Sequence, residues 1–335
     1  MKRTLIVAAV AALGANAALA QSSVTVFGRV NTSVEYQKNI AVDGKQAVLQ
    51  NNASRLGFKG TEDLGGGLKA DFYLEHRFNS DTGTTTGDFW SGDAWVGLSG
   101  GFGNIRAGRL TSAAYYATAD WIGMHNHDTG TSEDKLYTYL SGNKNTVSYQ
   151  TPNFAGFVGE FSVSAGEGVD DNKVYNLAGN YDAGPLHLGV GYERQAESKN
   201  SQLALRAVYE LGAFTFGGYY QLSDLKDLGA ALRDPSSRGF DAGKRNLFRL
   251  AGMYTLGASE FHVNVGRADD WDNVDGSKAT QWTLAYNYNL SKRTKVYAFY
   301  TKVDNGRNLS YFGATGANDT VLDPSSFAVG VRHNF

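Results

Sequence analysis

The chain of 335 residues has no cysteine and only four prolines. Without cysteine there is no disulfide scaffold, thiolate zinc site, iron–sulfur cluster or cysteine nucleophile. Long apolar runs are also missing. Past the N-terminus, no stretch approaches the ~18 consecutive apolar residues of a membrane-spanning helix. No segment carries an amphipathic helix of three turns, and basic charge is not in excess. With Lys2 and Arg3 set aside as part of a leader, 29 basic residues stand against 33 acidic ones, a net charge of −4. That excludes a bulk-basic nucleic-acid binder. The chain is instead rich in apolar and flexible residues: 42% hydrophobic, with 5 Trp, 19 Tyr, 18 Phe and 41 Gly. It is too apolar to be disordered.

Met1-Lys2-Arg3 is a basic start, Leu5 to Leu13 an apolar stretch, and Ala18-Leu19-Ala20 an A-x-A cleavage site. Together they predict a signal peptide over residues 1–20, cut before Gln21. A membrane anchor would need a longer span than this one, which Gly14 and Asn16 interrupt. An exported chain without cysteine points to the bacterial envelope rather than to a secreted disulfide protein.

From Val24 onward the hydrophobic period is two. Val24, Val26, Val30, Val34 and Tyr36 alternate with Thr25, Arg29, Asn31, Ser33 and Glu35. The same alternation recurs from Leu68, from Leu203 and from Trp282, and it marks strands with one apolar and one polar face. Sixteen such segments are predicted, starting near Val24, Ser54, Leu68, Trp90, Asn104, Lys144, Phe157, Lys173, Leu186, Ser201, Phe214, Arg245, Phe261, Lys278, Lys295 and Ser325. Each is close to the ~9–11 residues that a tilted strand needs to cross a bilayer. Short Gly-rich turns, such as Asp63 to Gly67 and Gly257 to Ser259, trade places with long polar loops.

This asymmetry predicts an all-β fold: a 16-stranded antiparallel transmembrane barrel, residues 21–335, with short periplasmic turns and long extracellular loops. A soluble β-sandwich is the alternative. It gives no purpose to the aromatics that recur at strand ends on the apolar face, among them Tyr36, Tyr149, Tyr181, Tyr209, Phe214, Phe261 and Tyr288. Two interfacial girdles do. In lipid an open sheet edge cannot stay unpaired, so the sheet closes.

Two segments carry a family resemblance. Ser54 to Ala70 (SRLGFKGTEDLGGGLKA) resembles the second and third strands of Gram-negative general porins of the β-proteobacterial type, and Val329 to Phe335 (VGVRHNF) resembles their closing strand. Val26-Phe27-Gly28, Val96-Gly97-Leu98 before Gly108-Arg109, and Tyr149 to Phe157 are similar to the same pattern. The resemblance implies an outer-membrane homotrimer of water-filled channels that pass ions and small hydrophilic solutes without a cofactor. It also implies a third long loop folded into each pore and a terminal Phe335 that signals to the outer-membrane assembly machinery. Outer-membrane lipids and lipopolysaccharide would be its surroundings.

Side chains cannot fill a barrel of this size, so water does. The face opposite the apolar one then sets passage. Its basic members include Arg29, Arg55, Lys59, Arg77, Arg206 and Arg249; its acidic members include Glu35, Glu75, Asp93, Glu160 and Glu193. By the resemblance, Arg55 and Arg109 belong to the basic wall of the constriction, with Arg29 and Arg77 as neighbours. The longest loop of the first half, residues 111–142, is the candidate constricting loop, and Asp120 and Asp128 are the acids expected to face the arginines. Charges opposed across a narrow gap filter ions by sign. Relatives often carry an arginine on the following strand, where this chain has Ser148 and Gln150, so the expected lean toward anions is slight.

Other chemistries find little support. His125 and His127 lie in a polar loop without cysteine, and Asp270 to Gly276 is one residue off a calcium loop and lacks its bidentate Glu. No metal is predicted. None of His76, His187 and His262 sits beside an obvious nucleophile, which argues against a barrel enzyme. A plugged adhesin would need a plug segment, and none is visible. A substrate-specific porin is the remaining competitor.

Overall fold

A computed structural model describes residues 23–122, 130–140, 144–168, 173–228, 239–314, 316 and 320–335. The leader, Asp128, His125 and His127 lie outside the described residues. Among the described residues, seventeen strands form one antiparallel sheet whose two ends meet. The first six are β1 (Ser23–Lys38), β2 (Lys45–Asn51), β3 (Ser54–Gly65), β4 (Leu68–Phe78), β5 (Ala94–Gly100) and β6 (Gly103–Arg109). Next come β7 (Thr146–Gln150), β8 (Phe157–Ser164), β9 (Val174–Ala183), β10 (Leu186–Gln195), β11 (Ser201–Leu211) and β12 (Phe214–Leu225). The last are β13 (Gly243–Leu256), β14 (Ser259–Ala268), β15 (Ala279–Asn289), β16 (Thr294–Asn305) and β17 (Ser325–Asn334). Between β6 and β7 lie the short helices α1 (Ala113–Ala117) and α2 (Ala119–Ile122) and a 3₁₀ turn at Gly130–Ser132.

Seventeen strands make sixteen staves, because β2 and β3 are halves of one. β1 pairs with β2 from Lys38↔Lys45 to Thr32↔Asn51, and with β3 from Arg29↔Arg55 to Ser23↔Thr61. One extra residue enters the second strand between these two registers, at Asn52-Ala53, and Ala53 takes φ 55°. The result is a β-bulge, which bends a strand and shifts its side chains to the other face. Asn52 fills the break by donating to Ser33 Oγ (2.7 Å) and to the Tyr297 hydroxyl (3.0 Å). The sequence predicts a strand only from Ser54 onward, because the alternation changes phase here. β5 likewise starts at Ala94 rather than Trp90.

Closure is made by β1 against β17, from Arg29↔Asn334 to Lys38↔Ser325. Phe335 extends the seam: its N–H donates to the Gly28 carbonyl (3.1 Å), and the Gly28 N–H donates back (3.0 Å). The Phe335 ring lies where a Cβ on residue 28 would stand, so glycine is needed there. Connections are short at the end where β1 begins and β17 ends, and long at the other.

The outer face is apolar and exposed, with Val34 at 63% and Leu250 at 66%. The inner face carries buried polar side chains such as Asn31, Ser33, Glu35 and Gln202. Aromatic rings ring the barrel. Toward the short turns Phe214, Tyr254, Phe261 and Tyr286 follow one another at 4.8, 6.3 and 5.2 Å. Toward the long loops, Tyr220–Phe248 and Trp282–Tyr300 pair at 4.9 and 5.1 Å. An inside-out barrel with two such belts suits a bilayer, where the rings sit at headgroup depth.

Candidate functional site

Residues 110–122 and 130–140 lie inside the barrel against one side of its wall. α1 lies flat on β9 and β10 because both surfaces are small. Ala113, Ala114 and Ala117 are buried at the contact, and glycines stand opposite them. A Cβ at Gly189 would overlap the Ala117 carbonyl, and one at Gly191 would fall 2.6 Å from Ala114. Ser112 caps the helix by accepting from the Tyr115 N–H (3.1 Å), while its own hydroxyl donates to the buried Glu193.

Further along, the wall supplies partners for the segment's backbone, since buried peptide groups must be paired. Gln221 accepts from the Thr138 N–H (2.9 Å) and donates to the Thr138 carbonyl (3.0 Å). Gln281 does the same for Lys135 N–H (2.9 Å) and the Glu133 carbonyl (2.8 Å). Arg245 donates to the Leu136 carbonyl and the Thr138 hydroxyl, both at 2.6 Å. Asp134 pairs with Arg249 at 2.7 Å, with side chains 1% and 2% exposed, and accepts from the Tyr219 hydroxyl. Glu193 and Arg249, expected to face water, therefore hold the inner segment instead. That is a correction to the reading of the lumen as wholly water-lined.

The opposite wall carries the arginines. Arg29, Arg55 and Arg77 are paired in one row across β1, β3 and β4. Neighbouring strands are ~4.8 Å apart, so the row stacks like charges. Glu75 relieves part of that repulsion: it is buried, 3.6 Å from Arg55 and 3.0 Å from Arg77. Arg109 joins from β6, its Nε donating to the carbonyls of Ser91 (3.2 Å) and Gly92 (2.9 Å).

Two of these arginines reach the lumen through backbone irregularities. Arg55 follows the bulge at Asn52-Ala53; without the extra residue it would keep the phase of Leu49, which faces outward. Arg109 shares the parity of Ile105, which is exposed on the outer face. Gly108 at φ 147° breaks that parity just before it, and a Cβ there would collide with the Ala94 carbonyl. Bulges and glycine kinks are common devices for re-aiming a functional side chain.

Between the two sides lies a cavity of about 800 Å³. Arg55, Arg77 and Arg109 line one side, and Asp120, Glu133 and Asp134 the other. Arg29 is buried and does not line the cavity, although it stands in the row. Of the acids across from the arginines, Asp134 is matched by Arg249 and Glu133 by Lys135. Tyr116 projects from α1 into the same space. Enclosure by the barrel, with the charges of Asp93, Asp120 and Glu75 added, pushes its hydroxyl pKa well above the usual tyrosine range.

Arg106 and Arg245 face inward as well, and the sequence reading names neither among the lumen-facing residues. Arg106 lies over the Trp95 ring (5.6 Å) and pairs with Glu160 at 2.5 Å. It also donates to Ser148 (3.1 Å). Arg245 sits between Trp271 (4.5 Å) and Tyr311 (5.2 Å). Both keep the two-residue phase of their strands, Arg106 with Asn104 and Arg245 with Arg249, and that phase is the signal that would have found them. Asp270 and Asp272 accept backbone N–H groups from Lys278 (2.7 Å) and Lys244 (3.1 Å).

A barrel of sixteen staves, apolar outside and polar within, defines a transmembrane β-barrel with an aqueous lumen. The chain belongs to the Gram-negative porin family, whose model matches residues 7–308. It is 34% identical to outer membrane porin protein 32 of Delftia acidovorans and 28% identical to a major outer membrane protein P.IB of Neisseria meningitidis, each over the whole of both chains. Among solved structures it is similar to an anion-selective porin from Comamonas acidovorans, with a TM-score of 0.77 and 28% identity over 94% of this chain and all of that one. OmpF of Salmonella typhi shares the fold at a TM-score of 0.70 and 13% identity, over 93% of this chain and 97% of that one. The protein is therefore an outer-membrane porin, a channel for general diffusion and not an enzyme.

Proposed function

We propose that this porin passes anions in preference to cations, through a constriction formed where the segment 111–142 faces the arginine wall. The carrying observation is the charge balance around the cavity. Arg55, Arg77 and Arg109 line one side, with Glu75 beside Arg55 and Arg77 and the charge of Asp93 acting on Arg77, whereas Asp134 and Glu133 across from them pair with Arg249 and Lys135. Arg29 extends the positive row, and Asp120 and Asp128 supply the acidic side. The name of the Comamonas acidovorans porin, which describes it as anion-selective, agrees with this reading.

The same reading takes residues 1–20 as a cleaved signal peptide and Phe335 as an assembly signal. The working unit is a homotrimer among outer-membrane lipids and lipopolysaccharide. In a planar bilayer, the purified protein is expected to insert in groups of three equal conductance steps. A KCl gradient should give a zero-current potential displaced toward that of chloride, and N-terminal sequencing of the same preparation should begin at Gln21. A displacement toward potassium would remove the anion reading.

Acidification provides a second check. Asp93 lies at the loop end of β5 and accepts from the Thr111 N–H (2.8 Å) and hydroxyl (2.6 Å). Burial raises its pKa above the usual carboxylate range; the Thr111 bonds oppose that shift, and the charge of Glu75 adds to it. As pH falls through that raised value, Asp93 loses its negative charge while the arginines keep theirs. The anion preference should therefore grow on the acid side of neutrality, above the ~3.9 of an ordinary aspartate. Asp93→Asn should show the stronger preference already at pH 7 and lose this part of the pH response. An unchanged pH response in the variant would rule Asp93 out as its source.

A further inference from the structure

Rings on the outer face of the barrel are explained by the bilayer, but a file of rings on the inner face is not. Tyr139 and Tyr116, both in the inner segment, are 49% and 44% exposed, and they open onto the lumen. Tyr115 links them, 5.5 Å from Tyr139 and 5.8 Å from Tyr116. The file continues on the wall beneath the arginines. Tyr73 donates to Glu75 (3.1 Å), whose charge also acts on Tyr116. Phe27 lies 4.9 Å from Tyr73, and Trp95 stacks nearly parallel to Tyr73 at 5.9 Å and 7°. Phe27 and Tyr73 share the inward phase of Arg29 and Arg77 on their strands, and Trp95 pairs with Tyr73 across the ladder.

Cations accompany the rings along the way. Arg55, Arg77 and Arg109 line the cavity beside Tyr116; lower down, Lys59 stands over Phe27 (5.4 Å) and Arg106 over Trp95 (5.6 Å). Small sugars, inorganic anions and water do not require this pairing of a flat apolar face with a positive charge. A solute that has both an aromatic ring and a carboxylate can use both at once. Rings stack in offset geometry, and carboxylates pair with guanidinium groups. Several weak, similar stations in sequence let such a solute enter and leave, the condition for conduction rather than trapping.

We infer that the lumen carries a translocation track for aromatic carboxylates, in which the solute ring passes along Tyr139, Tyr116, Tyr73 and Trp95 while its carboxylate is handed along the neighbouring arginines. The inference rests on the anion reading and adds a preferred solute class to a pore that remains open to general diffusion. The other role for these rings is to brace the wall through their cation contacts, which would leave solutes undistinguished.

The test is the KCl current through single channels with benzoate, acetate or phenol added to one side. Benzoate should interrupt the current with a saturable, concentration-dependent block, and acetate and phenol at equal concentration should not. Tyr116→Ser should weaken the benzoate block about 10-fold, the upper range for one aromatic contact, and Tyr116→Phe should retain it. Tyr73→Leu should weaken it as well, and the conductance of each variant reports that its barrel is folded.

Equal effects of benzoate and acetate, or a block indifferent to both ring-removing variants, would overturn the track. Equal block by phenol would overturn the role of the carboxylate. The zero-current potential of the unaltered protein in KCl alone is read in the same bilayers. Failure of the track with that potential still on the chloride side leaves the anion reading standing, whereas a potassium-side potential removes both.

Discussion

Replacing Arg55 and Arg109 with alanine lowers the anion-to-cation permeability ratio on the order of five-fold for each arginine, seen as a zero-current potential that moves toward potassium. The magnitude follows from Coulomb's law. A unit charge ~8 Å from a passing ion in water contributes about 0.5 kcal/mol, with opposite sign for anion and cation, so their ratio changes by about 1 kcal/mol, or about five-fold, and an aqueous pore is close to that limit. Both guanidinium groups line the cavity, Arg109 held by the carbonyls of Ser91 and Gly92 and Arg55 beside Glu75. Removing them leaves Arg77 paired with Glu75 and moves the formal charge of this wall two units toward negative.

Truncation also widens the gap and raises conductance, but the zero-current potential depends on the ratio of permeabilities and separates the two effects. Arg109→Lys should keep the preference, since the charge is retained, while losing the Nε–H that the two carbonyls share. Unchanged potentials in both alanine variants would show that these arginines are no more than solvated wall residues.

The second large effect concerns the inner segment. Asp134→Ala leaves Arg249 buried without its carboxylate and also removes the acceptor of the Tyr219 hydroxyl and the Leu136 N–H. Breaking a buried pair by removing one partner costs about 3–5 kcal/mol. That cost falls on the docking of the segment rather than on the barrel, whose strands keep their ladders. The variant should still migrate as a heat-modifiable barrel, yet be cut by trypsin at Lys135, which in the unaltered protein is held by Glu133 and the Phe312 ring. Its single-channel current should become noisier as the freed segment moves in the lumen. Replacing both partners, Asp134→Leu with Arg249→Met, should restore much of the protection, because no charge is then left buried. If Asp134→Ala resists trypsin as well as the unaltered protein, the glutamines and Arg245 hold the segment without the ion pair.

The sequence by itself determined the architecture. A period of two, maintained over sixteen segments, with turns alternating between short and long, specifies a closed barrel and which face of each strand meets lipid. The aromatic belts and the apolar phase of β17, from Phe327 to Phe335, stand where that period puts them. Locally the reading failed where the period itself breaks. β2 was missed because the bulge at Asn52-Ala53 inverts the phase, and Arg109 could be placed only by resemblance because Gly108 inverts it again.

Only the tertiary structure decided what lies against the inner face. Periodicity says that Glu193, Gln221, Arg249 and Gln281 point inward, and it says so equally of Arg55 and Arg77. It does not say that the first four meet a segment more than fifty residues away in the chain while the last two meet water. That division depends on two small surfaces, the alanines of α1 and Gly189 and Gly191 of β10, fitting flush so that the segment lies along one wall. Alternation is a property of neighbouring residues and can be read along the chain. The covering of one surface by another depends on shape and paired polar groups brought together by closure, and it exists only once the barrel has formed.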